Sequence, residues 1–216
     1  MTALQRARND GDIVARQIRA KLGKRPLVLV GLMGSGKSSV GKRLATRIGL
    51  KFVDSDHEIE KAANLSIKEI FSNYGEPYFR SGERRVIARL LRGGSKVLAT
   101  GGGAFVNPKT RAAVKKSSVS LWLNAELPIL MSRVRRRPTR PLLQNEDPEG
   151  VMKGLIEERY PIYATADLQV LSRDVPHEIV VQDILDALCV HLKIDLSEDT
   201  DDISPEHQST SDTKTK

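Results

Sequence analysis

The most constraining feature of the sequence is a glycine-rich segment from Gly31 to Ser38 that reads G-x-x-x-x-G-K-S. An apolar run at 27–30 precedes this segment, and an amphipathic stretch follows it. Glycines let the backbone approach phosphate oxygens closely, and the N-terminus of the following helix attracts negative charge. A strand, this loop and a helix in that order form the context in which the motif binds nucleotide phosphates. The sequence therefore predicts a nucleotide site at this point of the chain.

The chemistry of the loop suggests which groups touch the nucleotide. Lys37 can reach the β- and γ-phosphates, and the Ser38 hydroxyl group is suited to ligate Mg²⁺. We expect the loop to bind ATP through Gly34, Ser35, Gly36, Lys37, Ser38 and Ser39. Switches, motors and small-molecule kinases all carry such a loop, so it does not identify the group that accepts a phosphoryl group.

Short apolar runs rich in β-branched residues alternate with longer amphipathic segments along the chain. The predicted strands are 27–30, 52–53, 97–99, 119–123 and 168–171. Helical stripes of apolar residues follow Gly36 and occupy 83–92. Strands that alternate with helices predict an α/β fold, with a parallel sheet covered by helices on both faces.

Charge divides the chain into three parts. Residues 1–25 carry seven Lys and Arg against two Asp, whereas residues 195–216 carry seven Asp and Glu against two Lys. The formal net charge of +8 therefore falls on the middle of the chain, which suits an anionic ligand. We expect one domain at 26–194, a basic N-terminal extension at 1–25 with a marginal helix, and a disordered acidic tail at 195–216. Neither extension should be needed for the chemistry.

The chain has no run of about 18 apolar residues, which a membrane helix would need, and its first 25 residues lack the apolar stretch of a secretory signal. We therefore expect a soluble cytoplasmic protein that does not bind membranes.

Two carboxylates, Asp54 and Asp56, follow the second predicted strand. One could hold the hydration shell of a magnesium ion, and the other could accept a hydrogen bond from an acceptor hydroxyl group. A purely structural alternative is that Ser55 or Asp56 caps a helix that begins at His57.

Three glycines at 101–103 follow the third predicted strand, and two arginines lie in helical patterns elsewhere. A ligand could pack against the glycine backbone, although a flexible turn would have the same composition. Arg80 and Arg159 could each form a bidentate pair with a carboxylate, although a lone arginine is usually a solvated surface residue.

Residues 133–141 contain five arginines and two prolines. The prolines interrupt any helix, so this segment should be a mobile loop that could close over ATP and add positive charge. The competing interpretation is a nucleic-acid-binding patch. The aromatic content of 4% and the lack of a recognition module count against it.

Together these motifs resemble shikimate kinase, a family in the nucleoside monophosphate kinase structural group of P-loop kinases. The resemblance covers about residues 26–190 and rests on the phosphate loop and on the segments 54–56, 79–80, 101–103, 140–143 and 159–163. It implies a three-layer fold whose five-stranded parallel sheet has the order 2-3-1-4-5. It also implies a substrate-binding subdomain at about 54–82 and a mobile lid at about 134–146.

The resemblance further implies an activity, the ATP-dependent phosphorylation of the 3-hydroxyl group of shikimate in aromatic amino-acid biosynthesis. Shikimate would be bound by Asp56, Arg80, Gly102, Gly103 and Arg159, with both arginines on its carboxylate. Asp54 would hold Mg²⁺ through water, and Ser38 would be the second metal ligand. Arg133 would lie against adenine, with Arg173 and Pro176 on the other side of the base. Arg140 would reach the phosphates, so the catalytic candidates are Lys37, Asp56 and Arg140.

Several alternatives stay open. A gluconate-type kinase or a nucleoside monophosphate kinase would share the fold, and a nucleotide-dependent ATPase that binds nucleic acid would share the loop. The paired arginines and the glycine segment favour a carboxylated polyol as acceptor. We expect a monomer with ATP and shikimate as its partners and no nucleic acid. One departure from the family is Gly82, which costs about 1 kcal/mol relative to alanine inside a helix.

Overall fold

The computed structural model of the chain describes residues 3–136 and 146–195. Five parallel strands form its centre: β1 (Leu27–Val30), β2 (Phe52–Asp54), β3 (Val97–Ala99), β4 (Val119–Asn124) and β5 (Leu168–Leu171). Their order across the sheet is β2-β3-β1-β4-β5. The predicted fold class and strand order are therefore confirmed. Because β1 lies between β3 and β4, the loop that follows it opens at the middle of the carboxyl edge, where open α/β sheets bind ligands.

Helices cover both faces of the sheet. Their bounds are α1 (Ala3–Leu22), α2 (Lys37–Arg47), α3 (Ser55–Ala63), α4 (Ile67–Arg92), α5 (Pro108–Ser117), α6 (Leu127–Arg135), α7 (Pro148–Tyr163) and α8 (His177–Leu192). A short 3₁₀ helix spans Ala104–Val106.

The strands bury side chains on both faces, so the protein has two apolar cores. In β1, Leu27 and Leu29 face the core formed with α1, α2 and α8. Val28 and Val30 face the other core, which contains the second half of α4 together with α5, α6 and α7. This alternation is the two-residue period of a strand, and burial on both sides explains why the run is uniformly apolar.

The N-terminal helix belongs to one of these cores. Ala15, Ile18 and Leu22 are at most 4% exposed and pack with the apolar residues of α8. A guanidinium nitrogen of Arg19 donates a hydrogen bond of 2.8 Å to the backbone oxygen of Ile48, at the end of α2. The expectation of a marginal helix is therefore wrong for the second half of α1. Tertiary packing stabilises that half, as it does most helices in proteins.

Helix α4 changes direction at Gly75, whose φ of 76° and ψ of 174° are accessible almost only to glycine. On both sides of this kink the helix contributes to a third, smaller apolar cluster with α3, which contains Ile59, Ile70 and Phe79. This cluster lies within the segment predicted to be the substrate-binding subdomain. A Cβ atom added to Gly82, after the kink, would meet no other atom within 4 Å, so packing does not require the glycine there.

Two predicted segments lie largely beyond the described residues. They are the lid, except for its ends at 134–136 and 146, and the acidic tail after residue 195. Within the described ranges, no helix is long and apolar enough to span a membrane.

Candidate active site

A cavity of about 390 Å³ opens at the carboxyl ends of β1, β2 and β3. The phosphate loop forms one wall, with Gly34, Gly36, Lys37, Ser38 and Ser39 lining the cavity. Ser35 is buried in the same loop. The motif predicted from the sequence therefore faces this cavity.

The phosphate loop presents backbone donors and a fixed cation. Gly36 precedes α2 with a φ of 96°, a left-handed conformation that favours glycine, and no side chain caps the helix there. The first N–H groups of α2 are therefore available to an anion. The Lys37 ammonium group donates hydrogen bonds to the backbone oxygens of Gly31, at 2.7 Å, and Leu32, at 2.8 Å. These bonds hold a positive charge at the loop.

Ser38 and Asp54 form the floor of the cavity. The Ser38 hydroxyl group donates to Oδ2 of Asp54 at 2.8 Å. The other carboxylate oxygen of Asp54 accepts from the backbone N–H of Asp56 at 3.0 Å and so caps α3. The alternative in which Ser55 or Asp56 caps the helix is therefore wrong, because α3 begins at Ser55 rather than at His57. Ser55 instead accepts a hydrogen bond from the backbone N–H of Gly101 at 3.1 Å.

Asp56 lines the cavity beside the glycine segment. Burial raises its pKa from the ordinary 3.8 to about 6; the negative charge of Asp54 adds to this effect and the Lys37 ammonium opposes it. A Cβ atom added to Gly101 would lie 2.8 Å from Oδ1 of Asp56 and 3.0 Å from Oε1 of Glu83. Glycine at this position therefore leaves room for two acidic side chains on one side of the loop.

Glu83 is a site residue that the sequence analysis missed. Its side chain is 3% exposed, and burial raises its pKa although Arg80 is next to it. One carboxylate oxygen accepts from Arg80 at 2.9 Å, and the other, Oε1, has no hydrogen-bond partner among the described residues. The available signal was the spacing of three residues from Arg80, which places both side chains on one face of a helix.

Arg80 lies against the glycine segment. A Cβ atom added to Gly103 would be 2.7 Å from its guanidinium group. Glu76, one turn earlier on α4, accepts from two nitrogens of the same guanidinium at 3.0 and 3.1 Å. Arg80 does not line the 390 Å³ cavity itself. Two carboxylates thus hold this cation in place.

Arg159 approaches the glycine segment from α7. Its positive charge lies close to the hydroxyl group of Tyr163 and partly offsets the burial that raises the pKa of that group, and the hydroxyl donates to the backbone oxygen of Gly102. The Nε atom of Arg159 is buried and has no hydrogen-bond partner among the described residues. Arg80, on α4, therefore meets Gly103 directly, whereas Arg159, on α7, is related to the glycine segment through Tyr163.

The third wall of the cavity differs from the prediction. Arg133 donates to the Ser172 hydroxyl at 2.8 Å and to the backbone oxygen of Arg173 at 2.7 Å, and it lines the cavity as expected. The Arg173 side chain instead pairs with Asp183 on α8, and Pro176 does not line the cavity.

Other residues line this third wall, and the sequence analysis did not single them out: Arg136, Asp174, Val175 and His177. Burial lowers the pKa of His177, and nearby Arg43 and Arg133 lower it further. Arg140 lies outside the described residues.

Comparisons with known proteins point to one family. The chain matches the shikimate kinase family model over residues 33–189. It is 56% identical over 172 residues to the shikimate kinase of Rhodopseudomonas palustris, covering 80% of this chain and 85% of that one. It is 55% identical over 175 residues to the shikimate kinase of Bradyrhizobium diazoefficiens, covering 81% and 84%. A solved structure, the shikimate kinase from Acinetobacter baumannii in complex with shikimate, matches with a TM-score of 0.76 at 35% identity, covering 82% and 99%. The phosphate loop, the glycine segment and these matches together show that the chain belongs to the shikimate kinase family.

Proposed function

We propose that this protein transfers the γ-phosphoryl group of ATP to the 3-hydroxyl group of shikimate, with ADP and shikimate 3-phosphate as products. The observation that carries this proposal is the grouping of two carboxylates and two arginines around the glycines at 101–103. A carboxylated polyol needs cations for its carboxylate and acceptors for its hydroxyl groups. The relative from A. baumannii was solved in complex with shikimate, which supports this choice of acceptor.

We propose that Arg80 and Arg159 bind the carboxylate of the acceptor. Arg80 is held by Glu76 and Glu83, so its planar fork is already oriented. Arg159 carries a buried Nε–H group that has no partner among the described residues, and a buried donor of this kind is costly unless a ligand accepts from it. Cations that are fixed before binding lose little conformational entropy when the acid arrives.

We propose that Asp56 orients the reacting hydroxyl group. With a pKa of about 6, it is mostly ionised at neutral pH and can accept a hydrogen bond from the hydroxyl. The unpartnered oxygen of Glu83 lies next to it and can accept from a second hydroxyl group. These hydrogen-bonding carboxylates favour a polyol substrate over a substrate without hydroxyl groups.

The transfer itself is an in-line displacement. The 3-oxygen forms a bond to the γ-phosphorus, and the bond from that phosphorus to the β,γ-bridging oxygen breaks as ADP leaves. In a loose transition state the hydroxyl group keeps its proton until late, so Asp56 first orients it and then accepts the proton. Lys37 and the N-terminal N–H groups of α2 stabilise the negative charge on the phosphate oxygens. Arg140 would add a further cation there.

We propose Mg²⁺ as the metal, held at Ser38 and Asp54. Their oxygens already approach within 2.8 Å, and hard cations prefer oxygen ligands. Within residues 3–136 and 146–195, no group of three or more His, Cys, Asp and Glu could hold a metal. This fits an ion that takes most of its ligands from phosphates and water. When bound, the ion neutralises charge on the β- and γ-phosphate oxygens.

We further propose that the enzyme works as a cytoplasmic monomer. The residues assigned to ATP and to the acceptor are all supplied by one chain, which supports activity without a second subunit.

The proposal is tested by an ADP-release assay with Mg²⁺ and ATP, in which the acceptor is shikimate, gluconate, AMP or none. We expect the wild-type protein to release ADP rapidly only when shikimate is the acceptor. Lys37→Ala should release almost no ADP with any acceptor. Faster ADP release with gluconate or AMP than with shikimate would show that the proposed acceptor is wrong. Equal release without any acceptor would show an ATPase instead.

A further inference from the structure

We infer that Tyr163 is a positioning residue of the acceptor site: its hydroxyl group fixes the guanidinium of Arg159 relative to the peptide group between Gly102 and Gly103. The inference rests on the proposed function and deepens it. It assigns a role to a residue that touches neither nucleotide nor acceptor in the proposal above.

The Tyr163 hydroxyl group joins two parts of the fold. It donates to the backbone oxygen of Gly102, in the loop after β3, and it lies beside Arg159, one turn earlier on α7, whose charge partly offsets the burial that raises the pKa of the hydroxyl. A phenol hydroxyl has one proton to donate and lone pairs to accept, so it can serve both partners at once. Residues four apart share a helix face, which brings Arg159 and Tyr163 together.

The bond to Gly102 constrains a peptide group that is otherwise easy to rotate. Both flanking residues are glycines, so no Cβ atom limits the orientation of the peptide plane. In a trans peptide the C=O of Gly102 and the N–H of Gly103 point in opposite directions. A hydroxyl group that holds the carbonyl therefore also sets the direction of the Gly103 N–H group, which belongs to the proposed acceptor contacts.

The same hydroxyl group anchors Arg159. Among the described residues, Arg159 forms an ion pair only with Glu158, at 3.9 Å, and the Glu158 side chain is 57% exposed. An exposed pair at that distance holds a long side chain weakly. The buried hydroxyl group of Tyr163 offers Arg159 an acceptor on the same helix face, which this exposed pair does not.

Packing alone does not account for the hydroxyl group. The ring of Tyr163 is fully buried between Phe105, Trp122 and Tyr160, with ring centroids 6.1 to 6.5 Å apart, and phenylalanine would fill this space equally well. Burial raises the pKa of Tyr163 to about 12, so the hydroxyl group keeps its proton and stays a donor to Gly102 throughout the neutral range.

The test compares Tyr163→Phe with Tyr160→Phe. Both changes remove one hydroxyl group from the same aromatic cluster, but Tyr160 donates to the backbone oxygen of Ala125, which is not part of the acceptor site. We expect Tyr163→Phe to raise KM for shikimate about tenfold and to leave KM for ATP within about twofold, because only the acceptor side loses its restraint. Tyr160→Phe should leave both KM values within about twofold.

The inference is overturned if Tyr163→Phe leaves KM for shikimate unchanged, raises both KM values together, or behaves like Tyr160→Phe. The assays are run at a temperature below the thermal midpoint of each variant, so that a loss of stability does not mask the change in KM. In a second measurement, each tyrosine change is combined with Arg159→Lys in a double variant. If Tyr163 acts through Arg159, the two effects will be markedly less than additive, whereas additive effects contradict the inference.

The proposed function fails separately, in the wild-type protein. If the acceptor assay shows that wild type phosphorylates a different carboxylated acceptor, the same comparison is made with that acceptor. The positioning role is then supported if Tyr163→Phe raises only the KM for that acceptor, and contradicted if it raises both KM values together.

Discussion

Replacing Ile18 by alanine tests whether the N-terminal helix is part of the core. Ile18 is fully buried and packs in the cluster that joins α1 to α2 and α8. An Ile→Ala change at such a position costs roughly 2–5 kcal/mol, since it removes buried methyl groups and leaves a cavity. A loss of about 3 kcal/mol would lower the thermal midpoint of a domain of this size by about 6–12 °C.

The assay is thermal unfolding followed by far-ultraviolet circular dichroism, with urea unfolding to give the free energy. Arg16→Ala is the matched control, because Arg16 is exposed on the same helix and its loss should change stability by less than about 0.5 kcal/mol. Turnover at 20 °C should be unchanged in both variants, because α1 contributes no residue to the cavity lining. If Ile18→Ala shifts stability no more than Arg16→Ala, the helix is merely appended and the account of the core is wrong. If the helix is part of the core, a chain that starts at residue 24 should be less stable, although neither extension is expected to be needed for the chemistry.

Two further predictions concern the acceptor site. Arg80→Lys and Arg159→Lys should each raise KM for shikimate at least tenfold with little change in KM for ATP, because a point charge cannot reproduce a bidentate fork; steady-state kinetics that show equal losses for both substrates would refute the carboxylate assignment. Asp56→Asn should abolish turnover yet stabilise the metal-free protein above pH 6 by at most about 3 kcal/mol. The raised pKa means that the native state still holds a proton between pH 3.8 and about 6, where the unfolded chain has lost it, so the ionised group costs stability as the pH rises. Urea unfolding in EDTA checks this, and a stability difference that is the same at pH 4.5 and pH 8 would contradict it.

The sequence predicted the strands well because their signal is local. Buried runs of β-branched residues and the phosphate loop can be recognised without knowing their neighbours. The order of the strands, in contrast, came from the family resemblance, since periodicity says nothing about which strand lies beside which.

The missed features depend on distant parts of the chain. Glu83 and Tyr163 matter because they meet Gly101 and Gly102, and no spacing along the sequence reveals such contacts. A charged residue on a helix is usually solvated, so the sequence alone gives no reason to single out Glu83. The packing of α1 was missed for the same reason, because Ile18 packs with residues of α8 near the other end of the chain.

Side-chain directions in the loop before α8 were also beyond sequence reasoning. The loop before α8 was expected at the nucleotide site, and part of it does line the cavity. Which of its side chains turn inward depends on local pairing, and Arg173 turns towards Asp183 while His177 faces the cavity.

The most direct test of the central claim is the structure of the product. Shikimate, ATP and Mg²⁺ are incubated with the enzyme, and the phosphorylated product is analysed by a ³¹P–¹H correlation spectrum. The account predicts a single phosphomonoester whose phosphorus couples to the proton on carbon 3, and its formation should be lost in Asp56→Asn. Phosphorus coupled to the proton on carbon 4 or 5, or inorganic phosphate with unchanged shikimate, would contradict it.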